Sequence, residues 1–122
     1  MEFRENEAIY IQIADFVSDY ILSGKWAAEQ KLPSVRDLAI DLQVNPNTVM
    51  RAYEHLQKLE VIYNKRGLGF FVSADGHQKV LEHRKAHFFE QKLPELFKEI
   101  ALLRIELKEI QERYNQFLNQ QA

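Results

Sequence analysis

The chain has 122 residues, 46% of them hydrophobic, no cysteine and a formal net charge of −2. That length suits one small domain with an appendage, the missing cysteines exclude a disulfide framework, and no apolar run reaches the roughly 18 residues of a membrane helix. The opening MEFRENEAIY has no basic segment followed by an apolar run, so no secretory leader is expected and the chain reads as cytoplasmic.

Ile9, Ile13, Phe16, Val17, Tyr20 and Ile21 recur at three- and four-residue spacing, which predicts a helix over about 7–23 with Gly24 as its stop. The following KWAAEQKLP reads as a loop. Ser34 then opens a capping box in which Asp37 takes the place of Glu or Gln, so a short helix should reach about Leu42 and bury Val35, Leu38, Ala39 and Leu42. In VNPNTVMRAYEHL, Asn45 is placed to cap a third helix and Pro46 to occupy its first position, where a missing N–H costs nothing. That helix is expected to run to about Leu59 with Val49, Ala52, Tyr53, Leu56 and Leu59 inward. Only Gln43, Val44 and Asn45 separate the second and third helices, a connection short enough to force a steep crossing, as in a helix-turn-helix. Residues 61–65 and 69–73 are rich in β-branched and aromatic side chains and are joined through Arg66, Gly67 and Leu68, which describes a β-hairpin. The expected fold is therefore mainly α with a small β-hairpin: a winged helix-turn-helix over 1–75.

The remainder, 76–122, reads as a two-helix dimerisation tail. Ser73 to Gly76 form a hinge, a helix over about 77–91 carries Val80, Leu81, Phe88 and Phe89, and Pro94 interrupts it or starts the next. From Leu93 onward Leu96, Ile100, Leu103, Leu107, Ile110, Tyr114 and Phe117 follow at alternating intervals of three and four, the pattern of an uninterrupted helical seam. Such a stripe has no core of its own and would be covered in a two-fold homodimer, or in a monomer by folding back on the winged domain.

Four spaced motifs, Tyr10-Ile11-Gln12-Ile13, Leu32-Pro33-Ser34-Val35-Arg36-Asp37-Leu38-Ala39, Thr48-Val49 with Ala52-Tyr53, and Gly67-Leu68-Gly69-Phe70-Phe71-Val72, resemble the DNA-binding domain of the GntR family of bacterial transcription regulators. The likeness covers about 8–74. Asn45-Pro46-Asn47-Thr48-Val49 followed by a short helical tail is similar to the YtrA subfamily. The resemblance implies a dimeric repressor. This chain departs from the family in having Glu29 and Glu60 where glycine is usual, and Pro46 and Met50 where many members have arginine.

A recognition helix places its first turn in the major groove of double-stranded DNA. Asn47 is the leading candidate reader, because an amide donates and accepts at once and so suits adenine, at about 1–3 kcal/mol of discrimination. Asn45 and Thr48 are candidates for base or phosphate contact, Ser34, Arg36 and Arg51 for phosphate contact, and Lys65, Arg66, Gly67 and Gly69 for the wing tip at the minor groove. Plainer roles exist for some of them: Asn45 and Ser34 as helix caps, Lys65 and Arg66 as a solvated turn beside the glycines. Acidic residues outnumber basic ones in the first 76 residues, against the bulk rule for nucleic-acid binders, yet Lys65 and Arg66 are the only charges between Val61 and Ala74. His83 and His87 have a metal-ligand spacing but no third ligand in register, so they read as surface histidines. No catalytic set, cofactor or metal site is expected, and no enzyme. Two tail helices leave little room for a ligand pocket, so any small-molecule effector is unknown. The expected partners are an inverted-repeat operator and a second copy of the chain; the alternative is a helical interaction module that keeps the wing fold without operator binding.

Overall fold

A computed structural model describes residues 1–121; Ala122, the last residue of the expected tail, lies outside the described residues. The elements are α1 (Ile9–Leu22), α2 (Val35–Leu42), α3 (Pro46–Lys58), β1 (Ile62–Lys65), β2 (Gly69–Val72), α4 (Gly76–His87), a π-helical turn (Phe88–Lys92), α5 (Leu93–Leu102) and α6 (Leu107–Gln121). They fall into two compact units, Met1–His83 and a second that begins at Arg84. None of the helices among the described residues is long and apolar enough to cross a membrane.

The first unit is organised around α3, which packs against both α1 and α2 and leads into β1. Its inward face, Val49, Ala52, Tyr53 and Leu56, is buried against Ile13, Val17 and Ile21 of α1 and Leu38 and Leu42 of α2. Ile62, Val72 and Val80 extend the same core into the wing and α4. Each large apolar side chain so buried stabilises by roughly 1.5–3 kcal/mol before entropy is counted. Ile9 and Leu59, read as inward, sit at the edge of this core: Ile9 is exposed and Leu59 half-buried. Gln12 is buried too, and its amide is fully used. Its Oε1 accepts from the Arg4 N–H at 2.7 Å, and its Nε2 donates to the carbonyls of Arg4 and Glu7 at 2.8 and 2.9 Å. One polar side chain thus ties the N-terminal arm to α1 without a stranded donor.

The wing hairpin is antiparallel, with Ile62 opposite Val72, Tyr63 opposite Phe71, Asn64 opposite Phe70 and Lys65 opposite Gly69. A third segment joins it. Lys31 pairs with Phe71, the Leu32 N–H donates to the Phe70 carbonyl at 2.8 Å, and the Val72 N–H donates to the Gln30 carbonyl at 2.9 Å. The expected loop before α2 therefore adds to β2 over 30–32. It is too short to show an alternating pattern, and only β2 supplies its partners.

Three helices end in the same way. Gln43, Glu60 and Arg104 have φ of 57°, 62° and 55°. In each case the next residue donates its N–H five residues back: Val44 to Ala39 at 3.0 Å, Val61 to Leu56 at 3.0 Å and Ile105 to Ile100 at 3.1 Å. This is the Schellman arrangement, in which the left-handed residue is usually glycine because a Cβ costs about 1–2 kcal/mol there.

The third of these ends corrects the expected tail. The uninterrupted helix from Leu93 does not form: α5 stops at Leu102, the chain turns at Arg104, and α6 starts at Leu107. The seam is thereby split, with Leu96 and Ile100 on α5, Leu103 at its cap, and Leu107, Ile110, Tyr114 and Phe117 on α6. Pro94 stands in the first turn of the next helix, the second of its two expected roles. The Leu93 N–H donates to the Phe88 carbonyl in the widened π turn, and α5 follows directly with Pro94 in its first turn. A proline inside a helix crowds the carbonyl four residues earlier and lacks a donor for it; a π turn placed just before it relieves that crowding. No residue of the π turn, α5 or α6 is buried.

Candidate nucleic-acid interface

The start of α3 has the cap that the sequence predicts. Asn45 Oδ1 accepts the Asn47 N–H at 2.8 Å, with Pro46 in the first helical position. Asn45 has thus committed its acceptor to the helix, whereas Asn47 is exposed and, among the described residues, has no side-chain hydrogen bond. Thr48 is half-buried and its N–H donates to the Asn45 carbonyl at 2.9 Å. The buried Val49 and the exposed Met50 mark the two sides of this turn.

At α2, Ser34 Oγ accepts the Asp37 N–H at 3.0 Å, which confirms the cap and leaves the hydroxyl hydrogen available to donate. Arg36 is exposed in the first turn. Ser34 is held through the residues just before it. The Tyr53 hydroxyl donates to the Pro33 carbonyl at 2.7 Å, the Tyr53 ring meets Phe70 edge-on with centroids 5.0 Å apart, and Leu32 bonds to Phe70. Three motifs far apart in sequence, Leu32-Pro33-Ser34, Ala52-Tyr53 and Phe70-Phe71-Val72, therefore meet at one tyrosine. Burial pushes the Tyr53 hydroxyl well above the ordinary tyrosine value.

Arg51 projects from α3 one turn beyond Asn47, and its guanidinium lies over the Tyr10 ring of α1 at 4.2 Å from the centroid. Stacking uses the face of the guanidinium and leaves its in-plane N–H groups free to meet an anion. The motif containing Tyr10 is thus linked to α3 by a contact that sequence spacing does not reveal.

At the wing, Gly67 and Gly69 have φ of 78° and 108°, and the Leu68 N–H donates to the Lys65 carbonyl at 2.8 Å. Lys65, Arg66 and Gly67 are exposed. The Lys65 ammonium lies over the Phe71 ring at 5.0 Å, and Phe71 stacks on Tyr63 with centroids 5.7 Å apart. The Tyr63 hydroxyl donates to Glu29 Oε2 at 2.6 Å, and that bond to a carboxylate holds its pKa above the usual value. Among the described residues, Lys65 and Arg66 have no carboxylate within salt-bridge distance. His83 Nε2 sits 3.4 Å from the Leu59 carbonyl oxygen, and among the described residues no three His, Cys, Asp or Glu side chains are grouped to hold a metal.

The family model for bacterial regulatory proteins of the GntR family matches residues 9–72, from the start of α1 to the end of β2. The chain belongs to the GntR family. It is 33% identical over 109 residues to the HTH-type transcriptional repressor YtrA of Bacillus subtilis, covering 89% of this chain and 83% of that one. It is 38% identical over 72 residues to the transcriptional regulator YhcF of the same organism, where the match spans only 60% of the relative. Among solved structures, a transcriptional regulator of the GntR family from Bacteroides thetaiotaomicron superposes with a TM-score of 0.81 and 44% identity, covering 94% of this chain and all of that one. The DNA-binding domain of AraR, solved in complex with operator ORR3, superposes over 52% of this chain and 77% of its own with a TM-score of 0.51 and 30% identity. The family and these relatives are transcriptional regulators, not enzymes.

Proposed function

We propose that the chain is a cytoplasmic, homodimeric transcription repressor that binds an inverted-repeat operator through the first turn of α3, the start of α2 and the wing tip. The observation that carries this reading is the division of labour at the α3 cap: Asn45 is spent on the helix, while the exposed Asn47 has no side-chain hydrogen bond among the described residues. Asn47 then reads a base edge, at roughly 1–3 kcal/mol. Thr48 supports that contact, and Asn45 adds only what its cap leaves over. Ser34, Arg36 and Arg51 hold phosphates, and Lys65 and Arg66 approach the minor groove with Gly67, open on its Cβ side, admitting the backbone and Gly69 shaping the turn. The likeness to an operator-bound domain and to a named repressor supports both halves of the reading.

Dimerisation is assigned to the apolar stripes of α5 and α6. Leu96, Leu103, Leu107, Tyr114 and Phe117 are all more than two-fifths exposed in the single chain, an arrangement that a second copy would cover. Ile100 and Ile110, half-buried, lie on the same stripes. A two-fold dimer presents two winged domains to two inverted half-sites, so that two modest contacts become one specific site.

Selection of binding sites from random duplex DNA tests the whole reading at once. An enriched inverted repeat is the expected result, with binding weakened by rising salt and its base preference relaxed in Asn47→Ala. Recovery of no preferred sequence would leave the chain as an interaction module that keeps the winged fold.

A further inference from the structure

We infer that Lys31, in the stretch that precedes α2, is a third phosphate-binding cation of the wing, acting beside Lys65 and Arg66; this rests on the operator-binding reading and extends it. The register comes first. Lys31 pairs with Phe71, Phe71 pairs with Tyr63, and side chains alternate across a sheet, so Lys31, Phe71 and Tyr63 form one row on one face. Two residues toward the tip, Lys65 and Gly69 form the next row on that face. The opposite face carries the buried Leu32, Ile62 and Val72. Lys31 therefore stands on the outward side of the wing.

Gly69 supplies the second observation. A Cβ built on it would lie 3.4 Å from Lys31 Cε, so the lysine stem runs along the sheet from Phe71 toward the hairpin tip, over the position where any other residue would carry a side chain. Lys65 leans the other way, with its ammonium over Phe71. The two lysine stems thus share one face of the wing, whose tip carries Arg66. The carboxylate nearest in sequence, Glu29, accepts the Tyr63 hydroxyl, and among the described residues Lys31 has no salt-bridge partner. A phosphate backbone passing the wing would neutralise the set.

The test uses the full chain, a duplex enriched by selection, and an unrelated duplex of the same length. Affinity is followed by fluorescence anisotropy as salt is varied. Lys31→Met keeps the apolar stem over Gly69 and removes the charge; Lys31→Arg keeps the charge. Loss of one phosphate contact lowers the slope of log affinity against log salt by about 0.9 per protomer, or about eightfold in affinity for each decade of salt. We expect that change in Lys31→Met on both duplexes alike, an unchanged slope in Lys31→Arg, and the same urea midpoint in all three proteins. An unchanged slope in Lys31→Met overturns the inference while operator binding by the parent chain stands. If the parent chain binds neither duplex, the operator reading fails and this inference falls with it.

Discussion

The unit Met1–His83 and the unit that begins at Arg84 are built from helices of similar length, yet they solve the burial problem in opposite ways. In the first, α3 is enclosed on several sides, and Ile13, Val17, Val49, Ala52 and Tyr53 are fully buried. In the second, no described residue from Phe88 onward is buried, although Phe89, Phe97, Leu103, Leu107, Tyr114 and Phe117 are all large and more than half exposed. Helical patterning is equally clear in both. What differs is whether the surface that the stripe needs is supplied within the unit itself: it is in the first, and in the second the proposed dimer would supply it.

The sharpest way to break this comparison is to shorten one leucine in each region. Leu56→Ala should cost about 2–5 kcal/mol in urea unfolding of the winged unit, because Leu56 is 1% exposed and its cavity cannot collapse fully. Leu107→Ala should leave that transition within about 0.5 kcal/mol and instead raise the dissociation constant of the proposed dimer, measured by sedimentation. Equal losses of winged-unit stability in the two variants would abolish the contrast.

Next in size are two changes where separate segments of the winged unit meet. Gly76→Ala should destabilise by about 1–3 kcal/mol, since its Cβ would lie 2.8 Å from both the Val61 carbonyl oxygen and Val72 Cγ1. Tyr53→Phe should cost a similar roughly 1–3 kcal/mol by stranding the Pro33 carbonyl. Tyr53 also sets a pH dependence. Its folded-state pKa, raised by burial, lies above the value near 10 of the unfolded chain, so the folded state keeps a proton that the unfolded state releases. The contribution is complete below about pH 10 and is lost as pH rises beyond it. Urea midpoints measured from about pH 9 to 11 should fall, and fall less steeply in Tyr53→Phe.

The smallest expected effect concerns a device shared by the two units. Glu60→Gly should stabilise the winged unit by up to about 1 kcal/mol, because it relieves a left-handed Cβ and gives up only an exposed pair with Lys79 at 3.4 Å. Arg104→Gly should raise the helix content of the tail slightly, read by circular dichroism. Opposite signs in the two would show that the turn at Arg104 is set by something other than the helix end.

Much of the site was legible in the sequence because it is made of local signals. Ser34 and Asn45 cap the helices they precede, Pro46 takes the first helical position, and Gly67 and Gly69 make the hairpin turn; each depends on bonds that reach three residues or fewer. Two expectations differ from the structure for different reasons. The loop expected at Lys31 adds to the sheet through a partner that lies forty residues away, and the continuous helix expected through Arg104 breaks where arginine occupies a position at which glycine is the usual sign.

The sequence by itself determined the helices of the winged unit, their caps, the hairpin and the family, since spacing and capping are properties of neighbouring residues. Only the tertiary structure decided that Tyr53 joins three motifs, that Tyr10 braces Arg51, that Lys31 belongs to the wing, and that the tail stripe is divided at Arg104. Those outcomes depend on which distant surfaces meet and on where a helix can tolerate a left-handed residue, and neither is set by a residue and its immediate neighbours.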